Sequence, residues 1–361
     1  MTTASLPALQ PLRMGQLLDR AIRLYRRNFL RFVGIVAVVQ IPLSLLRALV
    51  SLFTFGQTYA QMQDLFVGSI PGGYMDPATA YVLGTLGNLA LTLVDFLLIQ
   101  GIATAALSRA IGDHYLGYPC GFLQAYRRVG KSWLRLIGAL LFSVALTIGL
   151  VIWLLVPCVG WLTGMGLLLF FWQAIVPLVA PAVVLEGQSA VGAIRRAWDL
   201  LRRRFWWVTG FVVILYVLNL LIVGGPGALI NAILEVVLVY SAGLDSIYTG
   251  FVLQTIAQSL ATLALSLVYL PLQITALTLM YFDLRVRTEG FDLTLRAEHA
   301  LHGQVDVAGI LAQAPGPAAA GEPLVTWKEM GNLALLSLGI MGVCGVPYVI
   351  LLFFLVTLMR F

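Results

Sequence analysis

The sequence predicts an all-α integral membrane protein with seven transmembrane helices. Three observations predict it. The 361 residues are 60% hydrophobic and only 11% charged, against about 25% charged in a typical soluble domain. Apolar runs of about 20 residues, enough to cross roughly 30 Å of hydrocarbon, recur along the chain. A basic amphipathic stretch recurs three times, each time just before such a run. The expected architecture is three helical hairpins, each preceded by a basic interfacial amphipathic helix, plus one appended C-terminal span. The matching divisions are an N-terminal arm and interfacial helix at 1–31, a six-span membrane domain at 32–283, a cytoplasmic tail at 284–331 and a last span at 332–361.

Residues 1–12 read as a loose arm, without the basic and then apolar run of a cleavable signal. Over 13–30, Met14, Leu17, Leu18, Ile22, Tyr25 and Phe29 make one helical stripe, and Arg20, Arg23 and Arg27 face away from it. The first span is expected at 32–55. Residues 56–78 carry Asp64 and Asp76 but no Lys or Arg, and the second span covers 79–108. The second amphipathic copy puts Phe122, Ala125, Tyr126, Val129 and Trp133 on its stripe, with Arg127, Arg128 and Lys131 off it. A third span at 134–156, a tight turn from Pro157 to Gly160 and a fourth span at 161–185 follow. No charged residue lies between Leu136 and Leu185, which marks a hairpin crossing the bilayer twice.

The third copy aligns Val191, Ile194, Trp198, Leu201 and Phe205, with Arg195, Arg196, Arg202 and Arg203 off the stripe. It leads into a fifth span at 205–223. The GGPG at 224–227 predicts a break, and the apolar residues up to 250 are expected as a helix lying on the outer surface or dipping into it. The sixth span, 251–282, carries Pro271 as an expected kink. A polar tail with the flexible stretch AQAPGPAAAGEP separates it from a seventh span at 332–359.

Of the 22 Lys and Arg residues, all but Arg47 and Arg360 fall in the N-terminal helix, 109–135, 186–204 or the tail. The positive-inside rule then puts the N-terminus, both connectors and the tail in the cytoplasm and the C-terminus outside. The formal charge of +6 is spread along membrane flanks, so nucleic acid is not an expected partner. Anionic membrane lipids at the basic clusters, and other membrane protein subunits, are. Aligning Ala21, Ala125 and Ala197 superimposes AIRLYRRNFLRF, AYRRVGKSWLRL and AWDLLRRRFWWV. Duplication and convergence on one membrane-entry pattern both account for this.

Three motifs carry a resemblance to a known family. LRMGQLLDRAIRLYRRNF, PAVVLEGQSAVGAIRRAWDLLRRRFW and YFDLRVRTEGFDLTL, spread over residues 12–296, resemble elements of the glycerophosphoryl diester phosphodiesterase membrane domain family. The resemblance implies a polytopic helical membrane region of a prokaryotic inner membrane. In some relatives that region is fused to a soluble barrel that uses His and Glu around a metal. This chain has three histidines, His114, His299 and His302, and no stretch long enough for a barrel, so the resemblance implies no activity here.

Several residues stand out as candidates. Arg47 and Asp95 each fall at depths of roughly 20 Å at 1.5 Å per residue, so they can meet. Their readings are a structural pair between helices, part of an ion or substrate pathway, or an Arg47 that snorkels outward. Glu186, beside Gly187, reads as a helix-start residue favoured by the dipole, with a cation site or a pair with Arg195 or Arg196 as alternatives. Pro177 and Pro181 read as a kink or a broken helix at a binding site. Asp113 and His114 in GDHYLG read as a polar turn, since no nucleophile is placed with them. Gly339, Gly342 and Gly345 offer a docking face for another helix. The ten basic residues named above on the amphipathic copies are candidate lipid-headgroup contacts. Cys120, Cys158 and Cys344 fall in different layers, and no phosphate loop, metal spacing, haem or dinucleotide motif occurs, so no disulfide, metal or cofactor is expected. The functional expectation is a non-enzymatic accessory subunit of a membrane complex or a lipid-organising scaffold. The alternative is a transporter or channel for a lipid or small solute through a polar site near Arg47 and Asp95.

Overall fold

Backbone polar groups in hydrocarbon have no water to bond, so each spanning segment must satisfy its own N–H and C=O groups. The described residues accordingly fold as helices and turns, with no strand among them. The structure is a computed structural model and describes residues 11–67, 76–115, 126, 127, 130, 132–241, 247–302 and 325–358. In chain order the helices are α1 (Met14–Arg27), α2 (Phe29–Val67), α3 (Pro77–Phe96), α4 (Thr104–Tyr115), α5 (Trp133–Leu154) and α6 (Val159–Phe170). Then come α7 (Val176–Glu186), α8 (Ala190–Arg202), α9 (Phe205–Asn219), α10 (Gly225–Ser241), α11 (Ile247–Glu289), α12 (Phe291–His302) and α13 (Trp327–Leu358). Short π-helical segments, Leu97–Ala103, Phe171–Ile175 and Leu220–Gly224, join α3 to α4, α6 to α7 and α9 to α10.

Six helical stretches are long and apolar enough to cross a membrane: Phe29–Phe53, Val82–Gly112, Trp133–Leu154, Val159–Glu186, Phe205–Val237 and Thr249–Glu289. They correspond to the first six expected spans and fit a multi-pass membrane protein. Two expectations need correction. The GGPG does not break the fifth span, and the separate outer-surface helix expected at 224–250 is instead its continuation as α10. The π segment absorbs the disruption: Gly225 N–H bonds back five residues to Leu220 C=O, and Pro226 falls in the first turn of α10, where a missing N–H matters least. The sixth span likewise passes through Pro271 and runs seven residues past its expected end, to Glu289. The tail then begins as a helix, α12, after Gly290 turns the chain at φ 64°, a left-handed value that glycine adopts without strain.

The chain divides into two compact units. In the unit formed by Leu134–Val212 and Tyr281–Phe361, with Met1–Pro11, nearly every residue from Val176 to Leu185 is buried. The second half of the fourth span is therefore surrounded by protein, while Val159, Trp161 and Leu162 in its first half are exposed. Phe170 stacks on Phe205 at 4.6 Å and meets Trp198 edge-on at 6.1 Å. Between α5 and α6, Val159 N–H bonds to Pro157 C=O across Cys158, at φ 62° and ψ −62°. This is a γ-turn, the tightest way to reverse a membrane hairpin.

In the unit formed by Leu12–Trp133 and Val213–Met280, α1 buries Leu17, Ala21 and Tyr25, which are spaced by four. Tyr25 Oη donates to Val268 C=O at 2.8 Å, and buried Ser108 and Thr278 share a hydrogen bond at 3.1 Å. Ala21 in α1 and Ala197 in α8 align in sequence and are both fully buried, each letting its helix approach a neighbour closely. Both amphipathic helices thus spend part of their apolar face on protein. In α8 the buried set is Ala193, Ile194, Ala197, Leu200 and Leu201, while Val191 of the expected stripe is exposed.

Candidate functional site

Residues three, four or seven apart share one face of a helix. On α2 that spacing collects Gln40, Ser44, Arg47 and Ser51; on α11 it collects Gln254, Gln258, Thr262 and Ser266, with Thr255 and Ser259 beside them. The two polar stripes face a cavity of about 500 Å³, completed by Asp95 and Ile99 on the second span and Asn231 on α10. Arg47 Nη2 donates to Asp95 Oδ2 at 3.0 Å, with the two side chains 47% and 28% exposed. Gln40 Nε2 donates to Ser266 Oγ, which itself donates to Leu263 C=O at 3.0 Å. Gln254 bonds to Asn231 at 3.3 Å. The buried Oε1 atoms of Gln40 and Gln258 have no hydrogen-bond partner among the described residues. The π segment Leu97–Ala103 starts two residues after Asp95, and Thr104 Oγ1 caps Ile99 C=O at 2.8 Å. Sequence reading singled out Arg47 and Asp95, which the structure joins. It missed the Gln, Ser and Thr stripes, whose signal was polar residues at helical spacing inside apolar spans.

A second charged constellation lies in the other unit. Glu186 is the last residue of α7, not the start of α8; Ser189 caps α8 instead, accepting from Gly192 N–H at 3.2 Å. The buried Glu186 carboxylate accepts from Arg196 Nε at 2.8 Å and Nη2 at 3.2 Å, and from the Tyr281 hydroxyl. Arg285 Nε lies 3.4 Å from it. Glu289 closes the ring, 2.5 Å from Arg196 and 3.1 Å from Arg285. Burial works to lower the pKa of Arg196, and its hydrogen bonds to Glu289 and Glu186 outweigh this and raise it. Two guanidinium groups and two carboxylates cancel, and the Arg285 guanidinium covers the Phe291 ring at 4.4 Å. With two guanidinium groups set against two carboxylates, the cluster is a clasp tying α7, α8 and α11 together, although the buried Arg285 Nη1 has no hydrogen-bond partner among the described residues. The second and third resemblance motifs supply its members. Tyr281, Arg285 and Glu289, spaced by four, were missed in the sequence.

The clasp corrects the placement of Arg196 as a headgroup contact: its side chain is 13% exposed and fully engaged with carboxylates. Arg202 is corrected likewise, at 8% exposed and 3.0 Å from Asp199. Buried arginines need counter-charges, and both found them on neighbouring protein. Arg27, Arg127, Arg195 and Arg203 are exposed, and Arg20 is partly so. Arg23 pairs with Asp19 at 2.6 Å on the surface. Arg128, Lys131 and Cys120 lie outside the described residues, as do the side chains of Asp113 and Cys344 and the surroundings of Gly345, one of the three glycines of the expected docking face. His114 Nε2 accepts from Asn28 Nδ2 at 3.3 Å, and burial, then Arg27 and Arg31, push its pKa down. It acts as a packed acceptor. Pro177 and Pro181 lie within a continuous helical span. Among the described residues no group of three His, Cys, Asp or Glu side chains is placed to hold a metal.

A family model described as a domain of unknown function, DUF7847, matches residues 12–284. The chain belongs to this family. The match takes in the cavity, Glu186 and Arg196, and stops one residue before Arg285. DUF7847 is uncharacterised, and it neither supports nor opposes the resemblance to the glycerophosphoryl diester phosphodiesterase membrane domain. No curated protein and no solved structure matches the chain.

Proposed function

We propose that this member of the family is a non-enzymatic membrane carrier that holds a small polar solute or a lipid headgroup in the Arg47/Asp95 cavity. The observation that supports the reading is the cavity itself. Keeping amides, hydroxyls and an ion pair in apolar spans is unfavourable, and such groups mark substrate or ion paths. Its volume falls in the range of small-molecule sites, roughly 300–1,000 Å³. A π segment beside Asp95 puts a register shift where functional sites often have one.

In this reading α13 is a seventh span, the N-terminus and basic connectors lie in the cytoplasm of a prokaryotic cell, and the C-terminus lies outside. Arg27, Arg195 and Arg203 then meet anionic headgroups. The accessory-subunit reading ranks second, because the apolar outer faces that suggested it are equally what lipid contact requires.

Native mass spectrometry of the full chain, extracted gently, tests this. A polar small molecule or lipid is expected at fixed stoichiometry, and Arg47→Gln with Asp95→Asn should reduce its retention about tenfold, the equivalent of ~1.4 kcal/mol. A protein partner at fixed stoichiometry, with no cavity ligand, would favour the accessory subunit instead.

A further inference from the structure

The lining of the cavity restricts what it can hold. Arg47 and Asp95 are its ionisable side chains, and each already neutralises the other. A ligand with net charge would enter a membrane site that offers it no counter-ion. A zwitterion would first have to separate the Arg47–Asp95 bond. All other polar lining groups are neutral: the amides of Gln40, Asn231, Gln254 and Gln258, and hydroxyls on Ser44, Ser51, Thr255, Ser259, Thr262 and Ser266.

The lining both donates and accepts through these amides and hydroxyls, and two of its amides keep an oxygen without a partner. Gln40 Oε1 and Gln258 Oε1, on α2 and α11, are buried acceptors without partners among the described residues. For Gln40 the orientation of the amide follows from its neighbour. Ser266 has one hydroxyl proton, and Leu263 C=O takes it. The Ser266 oxygen therefore accepts from Gln40 Nε2, and Gln40 Oε1 is the end left over. A group carrying several O–H bonds both donates to and accepts from such a neutral lining of amides and hydroxyls, and needs no counter-ion there. The volume of about 500 Å³ equals roughly 17 waters at about 30 Å³ each, room for a sugar ring with some of its hydration.

Resting on the reading that the cavity is a ligand site, we infer that it takes an uncharged polyhydroxy group, supplied either by a free sugar or by the sugar headgroup of a glycolipid. The test uses the full chain in nanodiscs. Equilibrium dialysis with radiolabelled glucose, choline and glutamate is paired with native mass spectrometry after loading with monoglucosyl diacylglycerol. Retained glucose points to a free sugar; retained glucosyl lipid without retained glucose points to the headgroup. In either case Gln40→Leu and Gln258→Met should each weaken retention about fivefold to tenfold, and the second covers failure of the first to fold. Retention of choline or glutamate instead of both polyols overturns the inference and leaves the carrier reading standing. Polyol binding indifferent to both variants also overturns it. If nothing is retained and native spectra show no cavity ligand, both readings fall.

Discussion

Glu186 ends α7 with its carboxylate between two guanidinium groups and a phenol; Glu186, Arg285 and Tyr281 are buried and Arg196 is nearly so. Deleting that carboxylate leaves Arg196 and Arg285 to share Glu289 in a site largely closed to solvent. Breaking a buried pair in this way typically costs about 3–5 kcal/mol, because the surviving charges stay desolvated. Glu186→Ala is therefore expected to lower the temperature at which the detergent-solubilised protein loses its monodisperse gel-filtration peak. Arg23→Ala should leave that temperature nearly unchanged, since the Arg23–Asp19 pair is 69% and 60% exposed and such pairs contribute about 0–1 kcal/mol. If Glu186→Ala keeps its peak as well as Arg23→Ala, the cluster is not a clasp. The same residue shows where sequence reading ran short. Its position after an apolar span and before Gly187 suited a helix start, and only the packing of α11 against it reveals Tyr281, Arg285 and Glu289 as its partners.

The spans were legible as elements because hydrophobic length is a local property of the chain. Six of the expected runs recur as long apolar helices with ends shifted by a few residues or, for the fifth and sixth, by more. The fifth span is longer because the GGPG was read as a break, and the sixth because its charged last turns, from Asp283 to Glu289, stay helical. A π segment tolerates the GGPG, and α11 continues through Pro271, where Thr275 Oγ1 donates to Pro271 C=O at 2.7 Å. Helix partners were not legible, since they depend on close approach. α13 begins with a capping box, Thr326 and Glu329 each bonding the other's backbone N–H, and then packs on α6. The contact centres on Gly166, whose N–H donates to Ser337 Oγ at 2.7 Å. A Cβ there would sit 2.5 Å from Leu333 C=O and 2.8 Å from Ser337 Oγ, and the first of these is backbone that cannot move alone. Gly166→Val is thus expected to push α13 away while sparing the cavity. Hydrogen exchange read by mass spectrometry should show faster exchange in residues 327–340 and none of that change in 40–51. Unchanged protection of 327–340 would mean that α13 is held by something other than this contact.

For the whole molecule the open question is which end of each span faces which compartment. The charge pattern answers it one way: basic connectors inside, acidic or neutral loops outside. Cys158 offers a direct check. It sits exposed in the γ-turn between α5 and α6, and the segment before α5 is basic, so α5 should run outward and deliver the thiol to the outer surface. In a Cys120→Ser, Cys344→Ser background, a membrane-impermeant maleimide applied to intact cells should label Cys158 as fully as it does after permeabilisation. Labelling that requires permeabilisation would invert every span. It would also turn the basic faces of α1 and α8 to the outside, against the charge rule, and remove the basis for their contacts with the cytoplasmic leaflet. The direction matters for the cavity as well. Its polar stripe on α2 runs from Gln40, joined there to Ser266, toward Arg47 and Ser51 near the later end of the first span. With the N-terminus inside, that later end is the outer one, so outward labelling of Cys158 would orient the Arg47–Asp95 end of the cavity toward the outer side and the Gln40–Ser266 bond toward the cytoplasm.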